Sequence, residues 1–301
     1  MTAGIIKQNC LLPAKNKNTK FYFDMQSRNI SSKALVISTK PKGESNRLVT
    51  VFTPESGIFL ATLYGGPKSK LRSQVSPMNS GTIYLYKDET KNSVKISDFN
   101  VKNYHTSFRE NLFKSFASSL ASEILMKTHC AGNSEQSWIL MNAFLDGMDF
   151  FDENEGRIGL VRFLWRYIAL LGIQPDTSCC YQCGSSFSRT AKNPHFSVLN
   201  GKMAVDTLSC KNTQKSSFDF RANAFVCADC MKNQEKSARN FEIGAESIEY
   251  LENISNMTPK EARALRINDT ILGETKNLCL TIIENAIGMR LTTLEAAAGI
   301  L

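Results

Sequence analysis

At 301 residues, with 42 % apolar and 21 % charged side chains, the chain is long enough for two domains that each bury a core. No stretch reaches the roughly 18 uninterrupted apolar residues of a membrane helix, and the opening MTAGIIKQNCLLPAKNK lacks the apolar core and cleavage site of a secretory signal, so a cytoplasmic protein without a membrane partner is expected. The net charge of +8 is unevenly held: residues 1–120 carry 18 Lys+Arg against 7 Asp+Glu, and residues 121–301 carry 18 against 21, so a polyanion would meet the N-terminal part.

Residues 1–24 are rich in Lys and Asn and show neither strand nor helix period, which reads as a disordered basic extension. The folded chain is expected to open at Met25. Five short runs rich in β-branched or aromatic residues then follow, at 34–37, 47–52, 57–64, 81–86 and 94–101, separated by the turn sequences PKGES, TPESG, GGPKS and KDETKNS. Strands so short and so closely spaced suit a small closed barrel over residues 25–105. The oligonucleotide-binding (OB) barrel is the commonest of these that takes single strands, although strand count alone leaves an SH3-like barrel open.

Beyond residue 105 the period becomes helical. Phe108, Leu112, Phe116, Leu120 and Ile124 make one stripe, Trp138, Met141, Leu145 and Met148 a second, and Leu160, Leu164, Tyr167 and Leu171 a third. Gly172 and Pro175 stop the third helix. Helix is expected again from 241 to 288, where Thr258-Pro259-Lys260-Glu261 has an N-cap, a proline at the first helical position and a capping-box glutamate. The fold class is therefore α+β: an N-terminal five-stranded OB-like barrel, then a helical domain over 106–301 with a cysteine module inserted at about 178–232.

Nine cysteines in a reducing compartment are not expected to form disulfides. Cys180-Tyr-Gln-Cys183-Gly184 and Cys227-Ala-Asp-Cys230 are two C-x-x-C knuckles, and four thiolates around one tetrahedral zinc leave no open position for water. The site reads as structural, with one zinc, although spacing alone does not exclude iron. The gap between the knuckles is 43 residues, which costs little in closure entropy. Within it, residues 196–205 read as a hairpin around Asn200-Gly201. Cys179, Cys210 and His195 are the competing ligands. A redox C-x-x-C is the rival chemistry, opposed because neither pair is expected to open a helix after a strand. Cys10, Cys130 and Cys279 are assigned no role.

Enzyme chemistry finds little support. The acidic run from Asp149 to Glu155 reads as a helix-to-helix loop, and His105, His129 and His195 have no partner at a telling spacing. No G-x-x-x-x-G-K-[ST] phosphate loop occurs.

The motifs resemble a known family. Gly43-Glu-Ser-Asn-Arg-Leu-Val-Thr-Val-Phe-Thr-Pro-Glu-Ser-Gly57, the basic loop Gly65-Gly-Pro-Lys-Ser-Lys-Leu-Arg72, and Leu171-Gly-Ile-Gln-Pro175 followed by Cys180-x-x-Cys183-Gly184 are similar, in order and spacing, to the signature of the bacterial RecO family. The resemblance runs from about 25 to 290. It implies a non-enzymatic recombination mediator in DNA repair that binds single- and double-stranded DNA and anneals complementary strands. It further implies work with RecR to load RecA on strands coated by single-strand-binding protein, contact with that protein's acidic C-terminal tail, and a cytoplasmic, nucleoid-associated location.

On this chain's own residues, phosphates are expected at Lys40, Lys42 and Arg47 around the first turn and at Lys68, Lys70 and Arg72 in the later loop. Tyr64, Tyr84 and Tyr86 are rings on which bases can stack, but strand aromatics more often face a core and they are left out of the site. Arg162 and Arg166, one turn apart beside Trp165, are the expected contacts for the acidic tail; their rival partners are Glu153 and Glu155. Two other functions stay open: a zinc-ribbon transcription regulator reading duplex DNA, and a scaffold whose charge serves only solubility.

Overall fold

The computed structural model describes residues 28–88, 90–187, 196–199, 202–205, 215–232 and 240–301. The expected extension at 1–24, the Asn200-Gly201 turn, His195 and Cys210 lie outside the described residues.

Five strands, β1 (Asn29–Lys42), β2 (Asn46–Thr53), β3 (Gly57–Leu63), β4 (Ser80–Asp88) and β5 (Ser93–Asn103), close into a barrel in the order β1-β2-β3-β5-β4. All pairs are antiparallel except β3 with β5, where Thr62 faces Lys95 and Leu63 faces Ile96. That connectivity is the OB arrangement, and it settles the choice that strand count left open. The 14-residue β1 serves two neighbours: residues 29–35 pair with β4, and residues 35–42 pair with β2. A register shift between Val36 and Ser38 bends the strand as a β-bulge does.

Burial explains why the sequence signal was a solid apolar run at 34–37. Ala34 and Val36 point into the barrel core with Val49, Val51, Phe59, Ile83, Leu85 and Phe99. Leu35 and Ile37 point outward into the helical core, so both faces of this stretch are covered. Phe52 packs edge-on against Trp138 with ring centroids 5.4 Å apart. Gly81 is demanded by close approach: a Cβ there would sit 2.1 Å from the Asn100 carbonyl oxygen. The short α1 (Lys70–Gln74) joins β3 to β4, and Leu71 and the fully buried Val75 pack against the barrel core.

The helical region begins with α2 (Ser107–Glu110) and α3 (Leu112–Lys127), then α4 (Ser134–Phe150) and α5 (Glu153–Leu170). Asn111, Asn133 and Asp152 accept backbone N–H bonds from Lys114, Gln136 and Glu155 and so cap the last three. The cap at Asn111 corrects the first expected stripe. Asn111 is extended (φ −122°, ψ 119°) and resets the helical phase, so Leu112 is 60 % exposed while Phe113, Ala117, Leu120, Ala121 and Ile124 are buried. Gly172, at φ +70°, ends α5 as expected.

The cysteine module supplies a hairpin, β6 (Phe196–Leu199) with β7 (Lys202–Val205), and a sheet in the order β10-β8-β9, formed by β8 (Ser216–Asp219), β9 (Ala224–Val226) and β10 (Asn240–Ile243), with α6 (Ala228–Lys232) after β9. Phe218, Phe225 and Ile243 carry this sheet into the helical core. Four helices complete it: α7 (Ala245–Asn256), α8 (Pro259–Ala264), α9 (Asp269–Ile287) and α10 (Thr292–Ala296). Both halves of the Thr258–Glu261 capping box are formed. Glu123 of α3 reaches the start of α10, accepting from the Thr292 and Thr293 N–H groups at 2.8 Å each and pairing with Lys127 at 2.8 Å. These bonds outweigh burial and pull its carboxyl down to about 2.

Candidate nucleic-acid interface and metal centre

The six cations singled out from the sequence gather at one end of the barrel. Lys40 and Lys42 end β1, Arg47 starts β2 and pairs in register with Leu63, and Lys68, Lys70 and Arg72 lie on the segment leaving β3. Arg72 joins the two groups. Its Nη1 donates to the Ser45 carbonyl at 3.1 Å and to the Gly65 carbonyl at 3.4 Å, while Arg47 Nη1 donates to the Arg72 carbonyl at 3.4 Å. Lys42 Nζ donates to Thr62 Oγ1 at 2.9 Å. Lys40, Lys68 and Lys70 are exposed, and among the described residues their ammonium groups form neither an ion pair nor a hydrogen bond.

The outer face of the barrel continues from this end. Leu48, Thr62, Lys95 and Tyr86 are successive cross-strand partners on β2, β3, β5 and β4. Lys95 Nζ lies 5.6 Å from the centroids of both the Tyr64 and Tyr86 rings, and 3.8 Å from Asp88 Oδ2. Tyr84, on the same face of β4, is 43 % exposed, and Tyr64 is 51 % exposed. The expectation that these tyrosines face the core is corrected. Ile83 and Leu85 take the inward positions of β4, and strand alternation then turns Tyr84 and Tyr86 outward.

At the other end of the chain the four expected sulfurs converge. Those of Cys180, Cys183, Cys227 and Cys230 all lie within 4.8 Å of one another. Gly184, at φ +71°, turns the first knuckle, and its N–H donates to the Cys180 carbonyl at 2.8 Å. The Cys227 N–H donates to Cys180 Sγ at 3.3 Å, and the Tyr181 N–H ties the knuckle to the Phe225 carbonyl at 3.1 Å. One expectation is corrected: Cys227 follows β9 and Cys230 lies in α6, so the second pair does open a short helix after a strand. Convergence of all four sulfurs, rather than local context, is what argues against a redox pair. Cys179 sits apart, with its sulfur 3.7 Å from Asp176 Oδ2.

The donor set fits one metal ion. Zn–S bonds of about 2.3 Å in a tetrahedron place sulfurs about 3.8 Å apart, and Cys183 Sγ lies 3.7 Å from Cys227 Sγ. A four-iron cluster would hold its cysteines further apart, because its own sulfides lie between them. Ser185 holds the Cys183 thiol down at about 6, while the adjoining Cys183 above all pushes Cys230 up to about 12. Four thiols this close lose their protons together only around a shared cation.

Arg162 and Arg166 do not pair with Glu153 or Glu155. Those carboxylates go to Arg157 and Arg266, each at 2.7 Å. Arg162 is buried, with Nε donating to Tyr250 Oη at 3.2 Å and Nη2 to the Leu265 carbonyl at 3.1 Å. Arg166 has a buried Nη2 without a hydrogen-bond partner. Burial first, then Arg162 and Arg263, disfavour its charge. Together with Arg263 they line a pocket between α4, α5 and α8 whose other walls include Phe144, Met148 and Phe163, and no carboxylate lines it. Arg263 had no signal in sequence because α8 reaches this pocket only by tertiary packing.

Comparison with known proteins supplies the family. Residues 25–104 match the model of the Recombination protein O N terminal domain, and residues 109–295 match that of the Recombination protein O C terminal domain. The chain belongs to the RecO family. Similar curated proteins are the DNA repair protein RecO of Heliobacterium modesticaldum, 27 % identical over 51 % of this chain and 55 % of the relative, and that of Syntrophotalea carbinolica, 24 % identical over 62 % and 72 %. The RecO of Chlorobium limicola is 27 % identical over 54 % of this chain and 63 % of its own length. The chain thus matches little more than half of the first of these RecO proteins.

Catalytic chemistry finds no constellation in this RecO-family chain among the described residues. Asp149 holds the His105 ring and accepts from Ser107 Oγ at 2.6 Å, binding the domain junction to α4, and Asp152 caps α5. No helix among the described residues is long and apolar enough to cross a membrane.

Proposed function

We propose that this RecO-family protein is a non-enzymatic mediator of DNA repair that binds single- and double-stranded DNA, anneals complementary strands and, with RecR, helps load RecA on DNA coated by single-strand-binding protein. The observation that carries the reading is the bridge made by Arg72. It ties the β1–β2 turn to the segment leaving β3, which supports reading the six cations on these two segments, Lys40, Lys42, Arg47, Lys68, Lys70 and Arg72, as phosphate contacts. Annealing then needs no bond chemistry. Two strands repel through their phosphates, and a cationic end that holds both lowers the repulsion and raises their local concentration.

The pocket of Arg162, Arg166 and Arg263 takes the acidic C-terminal tail of single-strand-binding protein. Apolar walls and a buried, unpartnered Nη2 on the half-buried Arg166 suit a peptide that brings both carboxylates and apolar side chains. The four-cysteine site holds one structural zinc, which closes the knuckles and takes no part in chemistry. The regulator reading is disfavoured: α6, the helix beside the knuckles, has five residues, and its Lys232 pairs with Asp229 at 3.0 Å, too short to read a groove.

The test is fluorescence strand annealing with metal-loaded protein, with and without single-strand-binding protein, beside metal analysis of the purified chain. Accelerated annealing on both substrates and one zinc per chain are expected. No DNA binding at low salt would refute the mediator reading.

A further inference from the structure

We propose that Tyr64, Lys95 and Tyr86 form a stacking platform that takes unpaired bases and makes the barrel prefer single strands to duplex. The proposal rests on the barrel being the DNA-binding element, and adds which nucleic acid it prefers and through which groups.

Tyr64 and Tyr86 come from different strands, yet one ammonium lies 5.6 Å from each ring centroid. An aromatic pair of one exposed ring, Tyr64, and one half-buried ring, Tyr86, with a cation near both is chemically suited to nucleotides: rings offer faces to bases, and the ammonium is placed for the intervening phosphate. Asp88, 3.8 Å from Lys95 Nζ, holds the lysine in place when no strand is bound. When a base covers a ring, Lys95 is freed toward the backbone.

The platform is continuous with the phosphate-binding end. Tyr64 adjoins Gly65, whose carbonyl Arg72 holds at 3.4 Å. Thr62, which faces Lys95 across the sheet, accepts from Lys42 at 2.9 Å. A strand crossing from the basic loops onto β3, β5 and β4 thus meets cations first and rings next. Charge argues against an acidic protein partner, which would use the cations and leave the rings idle.

Duplex DNA keeps its bases stacked on one another and cannot use the rings, whereas a single strand can. The consequence for annealing is directional: pairing withdraws bases from Tyr64 and Tyr86, which weakens the hold on the product and favours its release.

The experiment measures binding of labelled oligo-dT, an abasic strand of the same length and a duplex, by fluorescence anisotropy over a salt series. Each ring removed should weaken oligo-dT binding roughly 5- to 150-fold, so the Tyr64→Ala/Tyr86→Ala double variant should lose at least roughly 25-fold, with the salt slope and duplex affinity unchanged. Tyr64→Phe/Tyr86→Phe should keep wild-type affinity, because the ring and not the hydroxyl makes the contact. The abasic strand should bind wild-type protein as weakly as oligo-dT binds the alanine variant. Wild-type affinity in the alanine variant, or equal binding of abasic strand and oligo-dT, overturns the platform while leaving a salt-dependent barrel intact. A wild-type protein that binds no DNA at low salt overturns both.

Discussion

Neutralising Lys40, Lys68 and Lys70 together, as Lys40→Gln/Lys68→Gln/Lys70→Gln, tests the barrel end without disturbing it. All three are exposed and their ammonium groups make no hydrogen bond or ion pair among the described residues, whereas Lys42, Arg47 and Arg72 each donate to neighbouring oxygens and are left in place. If each of the six cations meets one phosphate, the log-log salt slope for a single strand is about −4, at roughly −0.7 per phosphate. Raising salt from about 50 to 200 mM then weakens wild-type binding about 300-fold. With three phosphates lost the slope falls to about −2, and the same change weakens binding only about 20-fold. Fluorescence anisotropy with labelled oligo-dT reads both slopes, and an unchanged melting temperature confirms the fold. A triple variant with the wild-type slope and affinity would refute the assignment of these lysines to phosphate.

Four further outcomes are expected. Cys183→Ser, or prolonged chelation, should remove the bound metal and lower the melting temperature, because the knuckles are tied through Tyr181 to β9 and through Phe225 to the helical core; metal analysis and calorimetry read this, and unchanged stability on metal loss would refute a structural role. Glu123→Gln should destabilise by roughly 2 kcal/mol, as expected for losing charged hydrogen bonds at a largely buried site. Because its carboxyl lies at about 2, below the ordinary 4.5, that stability is present above pH 4.5 and is lost as pH falls toward 2; the difference between wild type and variant in denaturant melts should narrow over that window. Arg166→Glu should abolish binding of a peptide copied from the acidic tail of single-strand-binding protein while leaving oligo-dT affinity intact, as calorimetry and anisotropy would read together. Gly81→Ala should cost about 1–3 kcal/mol, since its Cβ would overlap the Asn100 carbonyl; equal stability by urea titration would show that the strands can move apart.

The strands, the helices and the four converging cysteines were legible because each is a local signal. Hydrophobic period marks an element, and two C-x-x-C pairs mark a metal knuckle wherever the chain later brings them. Six lysines and arginines were visible as two charge runs for the same reason. Their union was not, because it depends on Arg72 reaching carbonyls at Ser45 and Gly65 across the barrel end. The tyrosines show where a local rule fails. The parity of Tyr84 and Tyr86 was readable, but which parity faces water depends on where Ile83 and Leu85 are buried. Arg162 looked like a surface cation and proved buried against Tyr250 and Leu265, residues about 90 to 100 positions away in the chain. Sequence by itself therefore determined what each segment is, the barrel strands, the helices and the two cysteine knuckles, because propensity and knuckle spacing act over a few residues. Only tertiary structure decided which side chains share a surface, since long-range pairing and packing choose the neighbours.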